Sequence, residues 1–427
     1  MTKLTRREFG GLGLAAAAAL AARGAHAQAP GVSFLSFTYA EDPNRPFVQT
    51  LLENFQKANG ITVEPIGSAW GETQKNIQLR QRSRTLPTSA QVQERWLPSL
   101  ANLPELVDLN EAIGKADLEA AIDPTVLAMG QAGGKQLALP LITGSIGMIA
   151  NKEVLDKAGV SKIPVTLDEF RAALVAVRDK IPNSVPFAVA TKNPSSIPLD
   201  FMIAVWIHGG RIIDESGKVL INSPEGKAAM SFMAGLMKDR LIAPEIDRPD
   251  ARRLFAQGAS AFYIDAPQTR QFVRSFSGRG EAADAFTIPM KTPILKAGDT
   301  SRSIQWGHLA VLFKGPTATG ADSPGVKWMR YLMSDAAQTS FPVALSALPA
   351  TKAGRRAPAV QNDPFFKAWA EATGVPLMNE IGIWSNAPEL NTILSEEFQA
   401  AVLGQKAPDQ AIASMQSRME VSMAKRG

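Results

Sequence analysis

The residues that usually carry covalent chemistry are scarce in this chain. It has no cysteine, which excludes thiolate nucleophiles, thiolate metal sites and disulfides. Of its three histidines, His26 belongs to an N-terminal leader described below, leaving His208 and His308. Two are too few for most zinc sites and thin material for a Ser-His-Asp triad. The sequence holds no Gly-x-Ser-x-Gly elbow, His-Glu-x-x-His pair, Gly-x-x-x-x-Gly-Lys-Ser/Thr phosphate loop or dinucleotide glycine pattern. Paired carboxylates for glycoside hydrolysis stay open, because their spacing of roughly 5–10 Å is a property of the fold. What remains is material for non-covalent recognition. Trp70, Trp306 and Trp384 sit in loop-like contexts, where a binding role and a packing role are equally open. Trp96, Trp206, Trp328 and Trp369 fall in helical patterns and are expected in the core.

The elements that must hold these residues alternate. Residues 32–39 alternate apolar and polar side chains like a strand, and 47–59 place Leu51, Leu52 and Phe55 on one helical face, with Gly60 as the stop. Residues 61–66 return to strand character, so the chain opens strand-helix-strand, the unit of a parallel sheet with crossover helices. The mixture continues without a fixed period, which argues against a solenoid or propeller. From Pro364 onward the pattern is almost wholly helical, ending in an amphipathic helix over 408–423. Removing 27 leader residues from 427 leaves 400, more than one core usually supports, so two domains are expected.

The leader has three parts. Thr5-Arg6-Arg7-Glu8-Phe9 carries paired arginines, residues 10–22 form a short run of Gly, Ala and Leu, and Ala25-His26-Ala27 offers small residues around a cleavage site. That layout reads as an export signal, and the adjacent arginines point to the bacterial twin-arginine route, hence to the periplasm. The apolar run falls short of the roughly 20 residues needed to span a bilayer, and nothing beyond residue 27 reads as a span. Lys3, Arg6, Arg7 and Arg23 less Glu8 give the leader +3 of the formal +5, leaving the processed chain near +2. Such a small charge is no footprint of nucleic-acid binding. Without a cysteine to lipidate, the processed protein is expected to be freely soluble.

From the middle of the chain onward the residues resemble a known family. Leu139-Pro140-Leu141 leads into Gly144-Ser145-Ile146-Gly147-Met148-Ile149-Ala150-Asn151-Lys152, then Ala158-Gly159 and Pro164-Val165-Thr166-Leu167-Asp168-Glu169-Phe170. Gly209-Gly210, Asn222-Ser223-Pro224-Glu225-Gly226, the stretch Phe255 to Phe262, Lys327-Trp328-Met329-Arg330-Tyr331-Leu332, Phe341, Gly404, Pro408 and Ala411 follow in order. The set is similar to the family 1 extracellular solute-binding proteins of ABC importers, which include maltose- and glycerol-phosphate-binding members. The resemblance implies an α/β fold of the two-lobed periplasmic binding protein type (type II), with a ligand cleft between lobes joined by crossing hinge segments. It puts the crossings near 141–145, 307–313 and 345–351, and so one lobe at 28–143 plus 312–347 and the other at 144–311 plus 348–427. It implies a monomeric, non-catalytic protein that needs no cofactor or metal and hands its solute to membrane permease subunits.

In such a fold the loops at the strand ends supply the ligand contacts. Thr38 and Tyr39 end the first strand, Trp70 follows the second, and Gln93, Glu94 and Arg95 follow a short strand ending near Val92. Ser145 lies at the first crossing and Asp200 near a helix start; Asp265, Gln268 and Arg270 follow Phe262-Tyr263-Ile264. Gln305, Trp306 and His308 flank the second crossing, and Trp384 and Asn386 precede the final helices. Each has a plainer reading. Asp265-Ala266-Pro267 could be a helix N-cap followed by proline, His308 a satisfied core histidine, Arg270 a surface arginine, and Arg80 to Arg84 a solvated helix end. Gln268 and Asn391 fall where maltose-binding members carry stacking tryptophans, Leu199 near a tyrosine, and Ala150 replaces a tyrosine before Asn-Lys. These departures favour a small sugar or sugar derivative over a long maltodextrin, and Arg95 and Arg270 tilt the expectation towards an anionic or strongly polar one. A polyamine ligand or an exported carbohydrate-active hydrolase are the alternatives. Ferric iron is disfavoured, since Tyr39, Tyr263 and Tyr331 are far apart.

Overall fold

The computed structural model describes residues 31–318 and 320–425; the expected export leader, with His26 and the expected processing point after Ala27, lies outside them. The opening unit forms as its pattern dictates. Strand β1 (Val32–Ser36), helix α1 (Arg45–Asn59) and strand β2 (Val63–Gly67) give a parallel pair running from Val32 opposite Val63 to Ser36 opposite Gly67. Val48, Leu51, Leu52 and Phe55 form the buried stripe of α1, and Gly60 ends it at φ 66°, a left-handed conformation open to glycine, with its N–H donating to the Gln56 carbonyl. The first strand is shorter than its alternation predicts. Ser36 caps a helical turn over Phe37–Ala40, its side chain accepting from the Tyr39 N–H, so Thr38 and Tyr39 sit in that turn and not at a strand end.

The chain continues through α2 (Thr73–Arg82), β3 (Ser89–Gln93), β4 (Ala138–Asn151), α3 (Leu167–Lys180), β5 (Phe187–Ala188), α4 (Ile197–Ile207), α5 (Pro224–Lys238) and α6 (Arg248–Ala256). Then come β6 (Phe262–Asp265), α7 (Thr269–Phe276), β7 (Thr287–Met290), β8 (Arg302–Leu312), α8 (Pro324–Leu332), α9 (Asp335–Ala344) and β9 (Leu348–Pro349). The chain closes with α10 (Pro364–Ala372), β10 (Val375–Leu377), α11 (Ala387–Val402) and α12 (Pro408–Ala424). The short strand β10, parallel to β8, interrupts the helical end that the sequence pattern predicts.

The sheet runs β2-β1-β3-β8-β4-β6-β5, with β7 and β9 also pairing β4 and β10 pairing β8. Its organising element is β4. From Ala138 to Ile146 it pairs antiparallel with β8, and from Gly147 to Ala150 with β6, while β7 lies against 148–151. One continuous strand therefore links the β1-β2-β3 side to the β5-β6-β7 side, and β8 and β9 lie next to it. The sheet is mixed, parallel at β1-β2, β1-β3 and β6-β5 and antiparallel at β3-β8, β8-β4 and β4-β6, so the parallel opening unit does not extend across it. Phe34 of β1 meets Trp328 of α8 at 5.3 Å between ring centroids, and Trp328 meets Phe55 at 5.1 Å. Leu35, on the other face, joins Ala90, Val92, Leu309 and Val311. Helix α4 is buried over Ile197 to Trp206, with Asp200 its one charged residue, the signature of a helix with no solvent face. Trp96, Trp206, Trp328 and Trp369 are all buried. Arg82, Ser83 and Arg84 end α2 exposed, a solvated helix end.

Candidate functional site

A narrow cavity lies where β4 passes from β8 to β6, lined by Phe37, Glu41, Trp70, Gln93, Arg95, Ile146, Leu199, Arg248, Pro249, Arg252, Asp265, Gln268, Trp306 and His308. The ends of β1, β3 and β6 point their following turns at it. This is the place where an open α/β sheet collects ligands, outside the carboxyl ends of its strands at a switch in strand order.

One wall is aromatic and cationic. Trp70 follows β2 in a short helical turn, and its ring lies 6.2 Å from that of Trp96. The Arg95 guanidinium stands 5.7 Å from the Trp70 ring and 6.0 Å from the Trp96 ring. Glu94 Oε2 accepts the Gly307 N–H at 2.9 Å, tying the turn after β3 to the middle of β8. Glu94 Oε1 forms a loose ion pair with Arg95 Nη1 at 3.5 Å, and neither buried terminal nitrogen of Arg95 makes a hydrogen bond. Burial pushes the Glu94 carboxyl above its ordinary range and lowers the Arg95 pKa, the neighbouring Arg248 charge adding to the latter. The loop before α11 closes this wall from behind. A Cβ at Gly382 would stand 2.4 Å from Arg95 Cβ, so only glycine lets that backbone approach.

The floor is β8. Trp306 and His308 share a face of the strand, ring centroids 4.5 Å apart, and Phe37 meets His308 edge-on at 4.8 Å. Gln91 sits beneath as a relay. Its Oε1 accepts from Ser36 Oγ at 2.7 Å and from the Thr38 N–H at 3.3 Å, so its Nε2 donates to Thr38 Oγ1 at 2.9 Å and to His308 Nδ1 at 3.0 Å. With Nδ1 accepting, the neutral ring carries its proton on Nε2. Burial holds the His308 pKa well below the usual histidine value, and the Arg95 and Arg252 charges push the same way.

The opposite wall holds two arginines that are already engaged. Arg252 of α6 donates to Asp265 from Nε at 2.8 Å and from Nη2 at 3.4 Å, and reaches across the cavity to Glu41 at 3.1 Å. Its guanidinium lies 3.7 Å from the centre of the Phe272 ring. Burial works against its charge, but Asp265 and Glu41 outweigh that and keep its pKa above the usual arginine value. Arg248 pairs with Asp200 at 2.5 Å and donates to the Ile264 carbonyl, while Asp200 also accepts the Ala190 N–H at 2.8 Å. Burial raises the Asp200 and Glu41 carboxyls, against the pull of their arginines. Gln93 Oε1 and Gln268 Nε2 are buried and, like the terminal nitrogens of Arg95, make no hydrogen bond.

The structure thus brings Trp70, Gln93, Arg95, Asp265, Gln268, Trp306 and His308 together around one cavity. Thr38, Glu94 and Asp200 stand behind it, bonded to Gln91, Gly307 and Arg248. The other candidates are elsewhere. Tyr39 is half-buried beside Arg45, whose Nε donates to its carbonyl. Ser145 bonds Thr373 at 2.9 Å and the Trp369 indole at 3.3 Å, and its strand partner Gln305 lies one residue out of step with Trp306, on the other face of β8. Arg270 is clamped by Asp363 at 2.9 and 2.8 Å and by Ser346 at 3.0 Å. Trp384 bonds the Glu380 carbonyl, and Asn386 bonds Ser422 on the last helix. Asp265 is no N-cap, since α7 begins only at Thr269. Sequence reasoning missed Glu41, Arg248 and Arg252. Arg248-Pro249 and Arg252 look like an ordinary surface helix start, and only the residues they meet mark them out.

Comparison with known proteins gives a consistent result. The model of the family described as bacterial extracellular solute-binding protein matches residues 50–368. A putative binding protein of Brucella abortus is 23% identical over 230 residues, 52% of this chain and 54% of that protein. A probable ABC transporter-binding protein of Deinococcus radiodurans is 28% identical over 171 residues, 38% of this chain and 40% of that one. The chain thus spans about half the length of the curated relatives it matches, or less. Among solved structures, the GacH receptor of Streptomyces glaucescens, studied with acarbose, superposes with a TM-score of 0.82 at 18% identity, over 93% of this chain and 100% of that one. An ABC transporter solute-binding protein of Thermotoga lettingae bound with α-D-tagatose gives 0.82 at 19% identity, over 92% and 100%. At these identities the likeness is one of fold: the chain has the two-lobed α/β architecture of these binding proteins. Among the described residues no helix is long and apolar enough to cross a membrane.

Proposed function

The chain belongs to the bacterial extracellular solute-binding protein family, and from that premise we propose that it is the periplasmic solute-capturing component of an ABC importer. Its ligand is a small sugar or sugar derivative with an anionic or strongly polar group. One lobe comprises 28–143 and 312–347, the other 144–311 and 348–427, and β4, β8 and β9 cross between them. The solute sits in the cavity at the β4 switch, touching Trp70, Gln93, Arg95, Asp265, Gln268, Trp306 and His308, with Glu41, Arg248 and Arg252 completing the walls. Lobe closure buries it and presents the closed form to membrane permease subunits. The protein works as a soluble monomer, needs no cofactor or metal, and catalyses nothing itself. The paired arginines of the leader support export by the twin-arginine route.

The observation that carries this reading is Arg95. A buried guanidinium whose terminal nitrogens make no hydrogen bond, held only by a loose ion pair to Glu94 at 3.5 Å and set beside an indole in a cavity, has donors left for another acceptor. A bound solute with acceptor oxygens supplies one. The polyamine alternative loses support because Glu41 and Asp265, the acidic lining groups, are both taken by Arg252.

The experiment is a thermal-shift screen of the processed protein against sugars, sugar acids, sugar phosphates, polyols and polyamines, with product analysis alongside. Ligand at about 100 times its dissociation constant adds roughly 2.7 kcal/mol, a rise of a few degrees. A shift with one sugar class and no product is the expected result; a consumed glycoside would hand the case to a hydrolase, and a shift only with polyamines would change the ligand class.

A further inference from the structure

Taking the solute-capture reading as its starting point, we propose that Gln91, which does not line the cavity, is a positioning residue. It holds the His308 ring with its proton on Nε2 and so makes His308 a fixed hydrogen-bond donor to an oxygen of the solute. The lock starts from the backbone. The Thr38 N–H can only donate, and it donates to Gln91 Oε1 at 3.3 Å, beside Ser36 Oγ at 2.7 Å. The amide nitrogen of Gln91 must therefore face the other way, where it donates to Thr38 Oγ1 at 2.9 Å and to His308 Nδ1 at 3.0 Å. A ring nitrogen that accepts carries no proton, so the proton of the neutral imidazole is on Nε2. Gln91 and Gln93 share a face of β3, with Gln93 in the lining and Gln91 one step behind it.

Nothing around the ring supports a second proton. Phe37 and Trp306 flank it with aromatic faces and edges. The charged groups about it are Glu41 in the turn after β1, Glu94 and Arg95 after β3, Arg248 and Arg252 of α6, and Asp265 at the end of β6. Each arginine already has a carboxylate: Arg95 has Glu94 at 3.5 Å, Arg248 has Asp200 at 2.5 Å and Arg252 has Asp265 at 2.8 Å. Among the described residues no carboxylate bonds the imidazole, and Nε2 has no hydrogen-bond partner although the ring lines the cavity. Burial and the Arg95 and Arg252 charges hold the His308 pKa well below the usual histidine value. The ring thus offers the solute a hydrogen bond and no charge. A buried donor is costly to leave unmet, and a hydroxyl or ring oxygen of a sugar suits it.

The test is a long-range proton–nitrogen correlation spectrum of the processed protein carrying nitrogen-15 histidine. It is read with and without D-glucose, D-galactose, D-mannose, D-xylose or D-glucuronate. Without His26 two histidines remain, and they should differ. His208 donates from Nδ1 to the Ala204 carbonyl at 2.8 Å and supplies the contrast. His308 should carry its proton on Nε2, unchanged over about pH 6–8, and that Nε2–H signal should move when a sugar binds. In Gln91→Glu the introduced carboxylate, once ionised, can only accept, so Nδ1 must take the proton and Nε2 turns a bare lone pair to the solute. Binding should then be about 10-fold weaker than in the parent at about pH 8. It should recover as pH falls, when the carboxylate–imidazole pair gains a proton and the Nε2–H returns. A His308 proton on Nδ1 in the parent, or a ring that titrates in this range, overturns the lock. An Nε2–H signal unmoved by a bound sugar, or full affinity in Gln91→Glu once its ring has switched, overturns the donor role. Should Gln91→Glu not fold, the parent spectra decide both points by themselves. If none of these sugars binds, the sugar-capture reading fails and the donor role with it, while the spectrum still decides the lock.

Discussion

The Glu41–Arg252 ion pair spans the cavity, joining the turn after β1 to helix α6, and its removal should loosen closure without unfolding either side. Glu41 accepts from Arg252 at 3.1 Å, with 20% and 12% of the two side chains exposed. In Glu41→Ala, Arg252 keeps both bonds to Asp265 and so is not left as a bare buried charge. Two bonds go: the Asn44 Nδ2 bond to Glu41 at 2.9 Å, which lies within one turn, and the charge-assisted bond across the cavity, about 1.5–3 kcal/mol when fully desolvated. The exposed fraction of Glu41 argues for the low end. A loss of about 1.5 kcal/mol from the closed state alone translates into roughly tenfold weaker solute binding. Because the bond forms only when the two sides meet, the change should appear in the dissociation rate, with association nearly unchanged. Trp70 and Trp306 line the cavity and give the fluorescence signal for equilibrium and stopped-flow titration. Small-angle scattering of the unliganded variant should show a larger radius of gyration. Affinity within about twofold of the parent, with identical scattering, would refute the argument that this pair holds the cavity closed.

Other outcomes follow from the same geometry. Asp200→Ala strands Arg248, 6% exposed, without its carboxylate, and should cost about 3–5 kcal/mol in urea unfolding; a cost under about 1 kcal/mol would mean that Arg248 finds another partner. Burial raises the Glu94 pKa, so the folded protein holds a proton that the unfolded chain releases near 4.5. Its contribution to stability is therefore most favourable below that value and declines as pH rises through 4.5 towards the raised value, and Glu94→Gln should flatten this slope in melts taken across the acid range. Gly382→Ala forces a methyl to 2.4 Å from Arg95 Cβ, and should cost about 1–3 kcal/mol and weaken solute binding together; an unchanged melting temperature would show that the loop yields freely.

Local residue patterns were enough for the opening of the sheet. The stripe Val48, Leu51, Leu52 and Phe55, the left-handed Gly60 and the flanking strands needed nothing beyond helical and strand periodicity. The capping box of Thr166 and Glu169 likewise starts α3 from side chains three residues apart. The absence of cysteine and of nucleophile motifs is also a property of the sequence alone, as is the Arg6-Arg7 pair near the N-terminus. The site was legible only in part, and the reason is partner choice. Arg95 and Arg270 look alike in sequence, each in a turn after a short strand. Folding sets Arg270 against Asp363, 93 positions on, and leaves Arg95 without a hydrogen-bond partner for its terminal nitrogens. Arg252 is defined by Glu41, 211 positions away, and Arg248 by Asp200, 48 positions away on another helix. No local pattern encodes such pairings, because a charge is drawn to whichever opposite charge the packing of distant elements delivers within a few ångströms. Which aromatic, amide and charged residues the chain possesses was decided by the sequence; which of them are spent on one another and which stay free for a solute was decided by the tertiary fold.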